Sequence, residues 1–280
     1  MKINGYTGLY GIVANPIKHS ISPKMHNCAF QELKLNDVYL AFEVNEDKFD
    51  DFMRSVKTLN IKGFNVSMPY KTKVLPYLDE LTDSAKQCGA VNTVKNRDGH
   101  LVGHITDGEG LYKAIINKGW HVENKKIVVL GAGGAANAIV VELAKQGAKE
   151  IVVYNRSDKD KIKDIGNKLK CEFKFHLFDE DKLKEDLKDA YMLINTTSVG
   201  MKPNEEKCLI SSEDTLSSHL KVIDIIYNPK ETKLLKMAKE MNLEYMNGEA
   251  MLLYQGASSF EFWTGKNMPI DKVKEELEME

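Results

Sequence analysis

The stretch Lys126-Ile-Val-Val-Leu-Gly131-Ala132-Gly133-Gly134-Ala135-Ala136 decides the fold. Its first five residues form a near-continuous apolar run, as in a strand buried on both faces of a parallel sheet. A G-x-G-x-x-A turn follows, and then an apolar stretch through Gln146 that reads as a helix. Such a glycine pattern alone is weak evidence, but here the strand and the helix stand where a dinucleotide-binding turn needs them. Gly131 allows the tight turn, Gly133 lets the backbone approach a pyrophosphate, and Ala136 keeps the helix close to the strand. Ala132, Gly134 and Ala135 belong to the same candidate cradle, and the helix N-terminus attracts phosphate charge. The alternative is a glycine-rich turn between strand and helix that holds no ligand.

Working outward, the strand EIVVYN ends in Asn155-Arg156-Ser157-Asp158. An NAD site usually carries an acidic residue about here, whereas an arginine suits the 2′-phosphate of NADP. Arg156 can grip phosphate through two hydrogen bonds. Asp158 pulls the other way: it can accept from an unphosphorylated ribose, and it repels a phosphate. Further strands are predicted at CEFKF, YMLINT and KVIDIIY, and a helix from Asp107 to about Lys118 that stops at Gly119.

The first half alternates in the same way. Strands are predicted at GLYGIVA, VYLAFEV and GFNVSM, with helices from Ser22-Pro23 onward, from about Glu46 to Thr58 and near Lys71 to Leu78. AVNTV and HLVGHIT flank the turn signal Arg97-Asp98-Gly99 and read as a hairpin. A last helix, about Glu249 to Trp263, is too apolar to face solvent and is expected to fold back on the first half. The predicted class is α/β with two αβ domains. Residues 107–247 form a Rossmann-like dinucleotide-binding domain; residues 1–106 and 248–280 form a discontinuous substrate-binding domain.

Composition excludes other classes. The chain has 280 residues, 42% apolar and 29% charged, with 39 Lys and Arg against 41 Asp and Glu for a formal net charge of −2. Nucleic-acid binding rewards clustered positive charge, which this balance does not provide. No apolar window is long enough for a membrane helix, and the first residues lack the apolar core of a secretory signal. Cys28, Cys88, Cys171 and Cys208 make no CxxC pair, and the histidines show no metal-ligand spacing. These features predict a cytoplasmic protein with reduced thiols and no metal.

A substrate class comes from an ordered set of motifs. Asn15-Pro16-Ile-Lys-His19-Ser20-Ile-Ser22-Pro23 resembles the N-P-I-x-H-S-x-S-P signature of shikimate dehydrogenases. Asn65-Val-Ser67-Met-Pro69-Tyr-Lys71, Gly89-Ala-Val-Asn92-Thr93 and Thr106-Asp107-Gly108 are similar to that family's N-V-T-x-P-x-K, G-A-V-N-T and N-T-D-G segments. Asn195-Thr-Thr-Ser198-Val-Gly200-Met201, Asp224-Ile-Ile-Tyr227-Asn-Pro229 and Gly248-Glu-Ala-Met251-Leu-Leu-Tyr-Gln255 follow in order, so the resemblance spans nearly the whole chain. Ile105 stands where the family has the Asn of N-T-D-G, and Ser67 replaces a commoner Thr. Asp160 falls where a second basic residue is frequent.

The resemblance implies reversible NADPH-linked reduction of 3-dehydroshikimate to shikimate, a step of aromatic amino-acid and chorismate biosynthesis. It implies Lys71 as proton donor and acceptor, paired with Asp107. It further implies Ser20 and Ser22 at the substrate carboxylate, Ser67, Asn92 and Gln255 at ring hydroxyls, Tyr227 at the substrate near the nicotinamide, and Ile225 and Gly248 with the cofactor. Each has a plainer alternative: Lys71 as an exposed lysine at a helix start, Ser22 and Asp107 as helix caps, Tyr227 as core packing, Gln255 as a buried hydrogen-bonding group. The combination of Val66-Ser67-Met68-Pro69 with Asn155-Arg156-x-Asp158 also resembles a quinate/shikimate dehydrogenase branch that accepts NAD or NADP. A catalytically inactive dinucleotide-binding regulator is the third reading; it has no need of a lysine and aspartate kept for proton transfer. Monomer and homodimer are equally compatible with the sequence.

Overall fold

The computed structural model describes residues 3–279, which fold as two compact units. The first takes the described chain up to Thr106 and from Leu253 onward; the second is Asp107–Leu252.

The first unit begins with β1 (Gly8–Ala14), α1 (Ser22–Glu32), β2 (Asp37–Glu43), α2 (Phe49–Thr58), β3 (Gly63–Val66), β4 (Glu80–Leu81), α3 (Asp83–Cys88), β5 (Thr93–Arg97) and β6 (His100–His104). Its sheet has the order β2-β1-β3-β5-β6-β4. Both neighbours of β1 run parallel to it, while β3–β5 and β5–β6 are antiparallel. Ala14 pairs with Glu43 and Val13 with Val66, so β1, β2 and β3 end at one edge. The loops that leave this edge carry the first set of candidate residues.

Two local expectations fail. The stretch from Lys71 to Leu78 is a series of turns with one 3-10 turn at Leu75–Tyr77. Pro76 lies inside it, lacks an amide N–H and crowds the preceding turn, so an α-helix cannot run through. The helix comes later as α3, where the Thr82 hydroxyl accepts from the Ala85 amide at 3.4 Å and Gly89, at φ +58°, ends the turn. Nor does Ser22 cap α1. Ile21 holds the cap position without a side-chain bond, and the Ser22 amide donates to Ser20 Oγ at 3.3 Å.

The second unit contains α4 (Asp107–Asn117), β7 (Lys126–Leu130), α5 (Gly134–Lys145), β8 (Glu150–Asn155), α6 (Asp160–Gly166), β9 (Glu172–Leu177), α7 (Glu180–Leu187), β10 (Met192–Asn195), β11 (Lys221–Asp224), α8 (Lys233–Glu240) and β12 (Glu244–Met246). Its sheet, β12-β11-β10-β7-β8-β9, is parallel at every described pairing. This is the doubly wound order, with the winding reversing between β7 and β10. Strands β7, β8 and β10 are buried almost throughout, which explains why they read as continuous Ile, Val and Leu. Helix α9 (Glu249–Thr264) and α10 (Ile270–Leu277) close the described chain. No described helix is long and apolar enough to cross a membrane.

In the first unit α9 lays Phe260 against Phe30 with ring centroids 5.3 Å apart, and the Trp263 indole donates to Val94 O at 2.9 Å. A buried polar network crosses this core. Tyr39 donates to Asn65 Oδ1 at 2.7 Å, and Asn65 Nδ2 reaches Asn92 O, Thr93 Oγ1 and Ser259 Oγ at 3.0–3.1 Å. His26, 1% exposed, stacks on Tyr39 at 4.4 Å, and its Nδ1 has no hydrogen-bond partner among the described residues. Burial drives its pKa down to about 3.

That depression ties stability to pH. The unfolded chain protonates His26 near pH 6.5, whereas the folded chain resists until about pH 3, so stability falls with falling pH across that window. The slope is about 1.4 kcal/mol per pH unit. Urea unfolding at pH 7 and pH 5 is therefore expected to show wild type losing about 2 kcal/mol more than His26→Phe, which has no such proton to take up. Equal losses in the two proteins would show that His26 is not held neutral.

Candidate active site

In the second unit the candidate site lies at the carboxyl end of β7, the crevice where doubly wound sheets bind ligands. Gly131 adopts φ +107° and its amide donates to Tyr154 O at 2.7 Å, which ties the turn to β8. A Cβ at Gly131 would stand 2.6 Å from Thr196 Oγ1 and 2.9 Å from Thr197 Cγ2. The turn thus presses against the loop after β10, where Thr196 Oγ1 donates to Leu130 O at 2.7 Å. Gly133 and Gly134 differ: a Cβ at either meets nothing within 4 Å. Both are exposed, Ala132 and Ala135 are half-buried, and α5 starts at Gly134 with no side chain capping its amides. Open space over uncapped helix amides suits a pyrophosphate.

The loop after β8 presents Arg156, Ser157 and Asp158 to solvent. Asn155 Nδ2 donates to Ser157 O at 2.8 Å and shapes the loop from within. Asp158 Oδ1 accepts from the Lys159 amide at 2.8 Å and pairs with Lys163. The bond from Lys163 holds its carboxyl below the usual range.

Behind β10 and β11 a buried chain of polar groups escaped the sequence reading. Asn195 Nδ2 donates to Asp224 Oδ1 at 3.1 Å, and Thr232 donates to Asp224 Oδ2 at 2.7 Å. Burial raises the Asp224 carboxyl, and these hydrogen bonds partly offset that. Ile225 follows, its amide bonded to Asn195 O at 3.1 Å, and Tyr227 projects from the same loop, 44% exposed, which excludes core packing as its role. Gly248 is fixed sterically: a Cβ there would lie 2.0 Å from Ile225 O. The signal for this group was the Asn-Thr-Thr run at one strand end and the Asp-Ile-Ile run at another, which only sheet order makes adjacent.

In the first unit the candidate residues gather where β1 and β3 end. Asn15 N donates to Met68 O at 3.2 Å and Ser67 N to Val13 O at 3.0 Å, so the loop after β3 is bound to β1 and the loop following it. The peptide bonds before Pro16 and Pro69 are cis. Half-buried Lys71 follows that turn, and its carbonyl accepts the Val91 amide at 2.8 Å, one residue before Asn92. Asn92 is buried, with Oδ1 accepting the Thr106 amide at 2.9 Å and Nδ2 donating to Thr106 Oγ1 at 3.0 Å. Ser22, 7% exposed, stands beside the Tyr39 hydroxyl. Ser259 joins Thr93 and Thr106 and donates to Gln255 O at 3.0 Å, which sets half-buried Gln255 one helical turn from this network. Asp107, also buried, follows Thr106 and opens α4 in the second unit. Asn65, Thr93 and Ser259 were not recognised in the sequence as the groups that hold this edge.

Residues 12–94 match the shikimate dehydrogenase substrate binding domain, residues 112–231 the shikimate/quinate 5-dehydrogenase domain, and residues 248–278 the shikimate 5′-dehydrogenase C-terminal domain. The chain belongs to the shikimate dehydrogenase family. It is 46% identical to shikimate dehydrogenase (NADP(+)) of Alkaliphilus metalliredigens over 98% of this chain and 97% of that protein. Among solved structures, Listeria monocytogenes shikimate 5-dehydrogenase in complex with shikimate and NAD superposes with a TM-score of 0.95. It is 44% identical, covering 99% of this chain and 98% of that one. A shikimate dehydrogenase in complex with NADP+ follows at a TM-score of 0.89 and 39% identity, covering 99% and 96%. The α/β class with a Rossmann-like sheet is what these relatives share with this shikimate dehydrogenase family member.

The two kinds of glycine make a test. Gly131→Ala forces a side chain into a positive-φ position against Thr196 and is expected to cost at least about 1–2 kcal/mol of ligand-free stability. Gly133→Ala meets no protein atom, so its ligand-free melting temperature should match wild type while its affinity for a dinucleotide falls. Thermal melts with and without NADP check both, and undiminished stabilisation of Gly133→Ala by NADP would count against the cradle.

Proposed function

We propose that the protein catalyses the reversible reduction of 3-dehydroshikimate to shikimate with NADPH. The observation that carries this is the near-full-length identity of 46% to a shikimate dehydrogenase (NADP(+)) in a chain whose doubly wound sheet bears the open glycine turn at its switch point. The reading divides the labour along the chain. Residues 1–106 with 248–280 bind substrate, and residues 107–247 bind the dinucleotide.

Gly131 through Ala135 would hold the pyrophosphate of NADP, Arg156 its 2′-phosphate with Asn155 and Ser157 shaping the loop, and Ile225 with Gly248 the floor under the nicotinamide. The cofactor supplies the hydride to carbon; the protein must supply a proton to oxygen. We assign that proton to Lys71 Nζ, with Asp107 as the carboxylate that keeps the ammonium aligned. Support comes from the half-buried setting of Lys71, its main chain held by Val91, and from the burial of Asp107. Ser20 and Ser22 are assigned to the substrate carboxylate, since short hydroxyl donors suit an anion. Ser67, Asn92, Tyr227 and Gln255 are assigned to ring hydroxyls, where groups able to donate and accept are needed. Ile105, 3% exposed, fills with hydrocarbon a position where the family carries a polar amide.

Arg156 favours NADP. A second reading, use of NAD and of quinate, is favoured by two observations: Asp158 on the same loop, and the match of residues 112–231 to a domain described for both shikimate and quinate. Assays that follow nicotinamide absorbance with shikimate and quinate, each with NADP and NAD, separate the readings. A cytoplasmic location goes with the proposal and suits cysteines that form no disulfide among the described residues.

Lys71→Ala is expected to lower kcat by about 10²–10⁴-fold, the range for a general acid–base group, with little change in KM for shikimate. Turnover within about threefold of wild type would remove Lys71 from the proton transfer.

A further inference from the structure

The loop after β8 holds two opposite charges two residues apart, and the structure treats them differently. Arg156 has no hydrogen bond or ion pair among the described residues. Asp158 is engaged: its Oδ1 accepts the Lys159 amide at 2.8 Å and pairs with the ammonium of Lys163. Lys163 comes from the middle of α6, and its ammonium lies 5.3 Å from the ring centroid of Phe175 on β9. Carboxylate and aromatic ring thus anchor the lysine from two sides, at a position outside every glycine or Asn-Arg-Ser motif.

We propose that Lys163 is a specificity-determining residue that acts through Asp158: by compensating that carboxylate it leaves Arg156 to the 2′-phosphate of NADP, and its loss turns the loop toward NAD. The inference rests on the NADP-linked reading above. The 2′-phosphate carries about −1.5 to −2 charges near neutral pH, so an uncompensated carboxylate two residues from its arginine repels it. The same carboxylate, once released, can accept from ribose hydroxyls as the acidic residue of an NAD site does. It also becomes a competitor for the Arg156 guanidinium. All three effects lower the preference for NADP. Side-chain exposures of 37% for Lys163 and 62% for Asp158 mean that solvent screens the pair, so the effect is a few-fold rather than absolute.

Steady-state kinetics with saturating shikimate, varying NADP or NAD, test this in wild type, Lys163→Met, Asp158→Asn and the double variant. Methionine keeps an apolar stem against Phe175, and kcat/KM with NAD reports in the same protein whether the fold and the chemistry are intact. Lys163→Met is expected to lower the NADP/NAD ratio of kcat/KM about fivefold through KM for NADP, with kcat unchanged. The change should vanish when Asp158 is already Asn, and Lys163→Arg should restore the wild-type ratio. An unchanged ratio overturns the proposal. So does an equal loss in both backgrounds, which would mean that Lys163 meets the phosphate itself. A wild type that prefers NAD, with that preference unmoved by Arg156→Ala, is a different failure: the NADP reading falls first and carries this inference with it.

Discussion

One buried amide, that of Asn65, joins the pieces of chain on which the substrate half of the candidate site is built. Its Oδ1 takes the Tyr39 hydroxyl from β2, and its Nδ2 faces Asn92 O and Thr93 Oγ1 at the start of β5 and Ser259 Oγ on α9. Each of those groups is buried, so each needs a partner, and a donor or acceptor left without one costs about 1–3 kcal/mol. Three acceptors around one NH2 group make the network mutually dependent. Losing Asn65 would remove a bond from groups on β2, on β5 and on α9 together. This explains a polar residue at the centre of β3, a strand otherwise buried and apolar: the amide fixes which residues of distant segments stand side by side.

The second unit solves its own version of the problem mostly with main chain. A parallel sheet places successive strand ends in one row, and reversal of the winding between β7 and β10 opens the crevice. What must then be specified is close approach. Gly131 meets that requirement against Thr196, and Gly248 against Ile225 O. The one buried carboxylate behind this edge, Asp224, accepts from Thr232, the Ile226 amide and Asn195, so donors on several segments meet on a group whose burial alone would push it toward neutrality. A strand end held by three donors gives the loop carrying Ile225 and Tyr227 a fixed origin.

How much of this was legible follows from which interactions are local. Strand β7, the glycine turn and α5 could be read because each residue's reason lies within a few positions: the buried run, the positive φ, the uncapped helix start. The helix expected from Lys71 to Leu78 does not form because Pro76 lacks the amide a helix there would use. Ser22 lies one position past the cap, which Ile21 holds without a side-chain bond, and the hydroxyl that accepts an amide here is that of Ser20. Asn65, Thr93 and Ser259 were invisible as a group because their bonds link positions up to 194 residues apart. Asp224 and Asn195 became neighbours only once β10 and β11 were paired. Motif resemblance named the residues around which these networks close, but not the bonds that close them.

The contrast between the units also bears on where discrimination is hard or soft. Candidate substrate contacts such as Asn92 and Ser22 lie in buried surroundings, where an unmatched polar group cannot be rescued by water. On the proposed assignment, a substrate group that failed to match these buried contacts would be discriminated against more steeply than one matched at the surface. Arg156, Ser157 and Asp158 lie exposed on a loop, within reach of solvent and of counter-ions whose screening length is about 8 Å at physiological salt. Charges in that setting add and cancel as small increments, so the sign of the cofactor preference depends on the sum over neighbours rather than on one residue type. An arginine at the expected position therefore does not settle the preference. The state of the carboxylate two residues on, and of whatever compensates it, enters with comparable weight, and that is information carried by α6 and β9 rather than by the dinucleotide fingerprint.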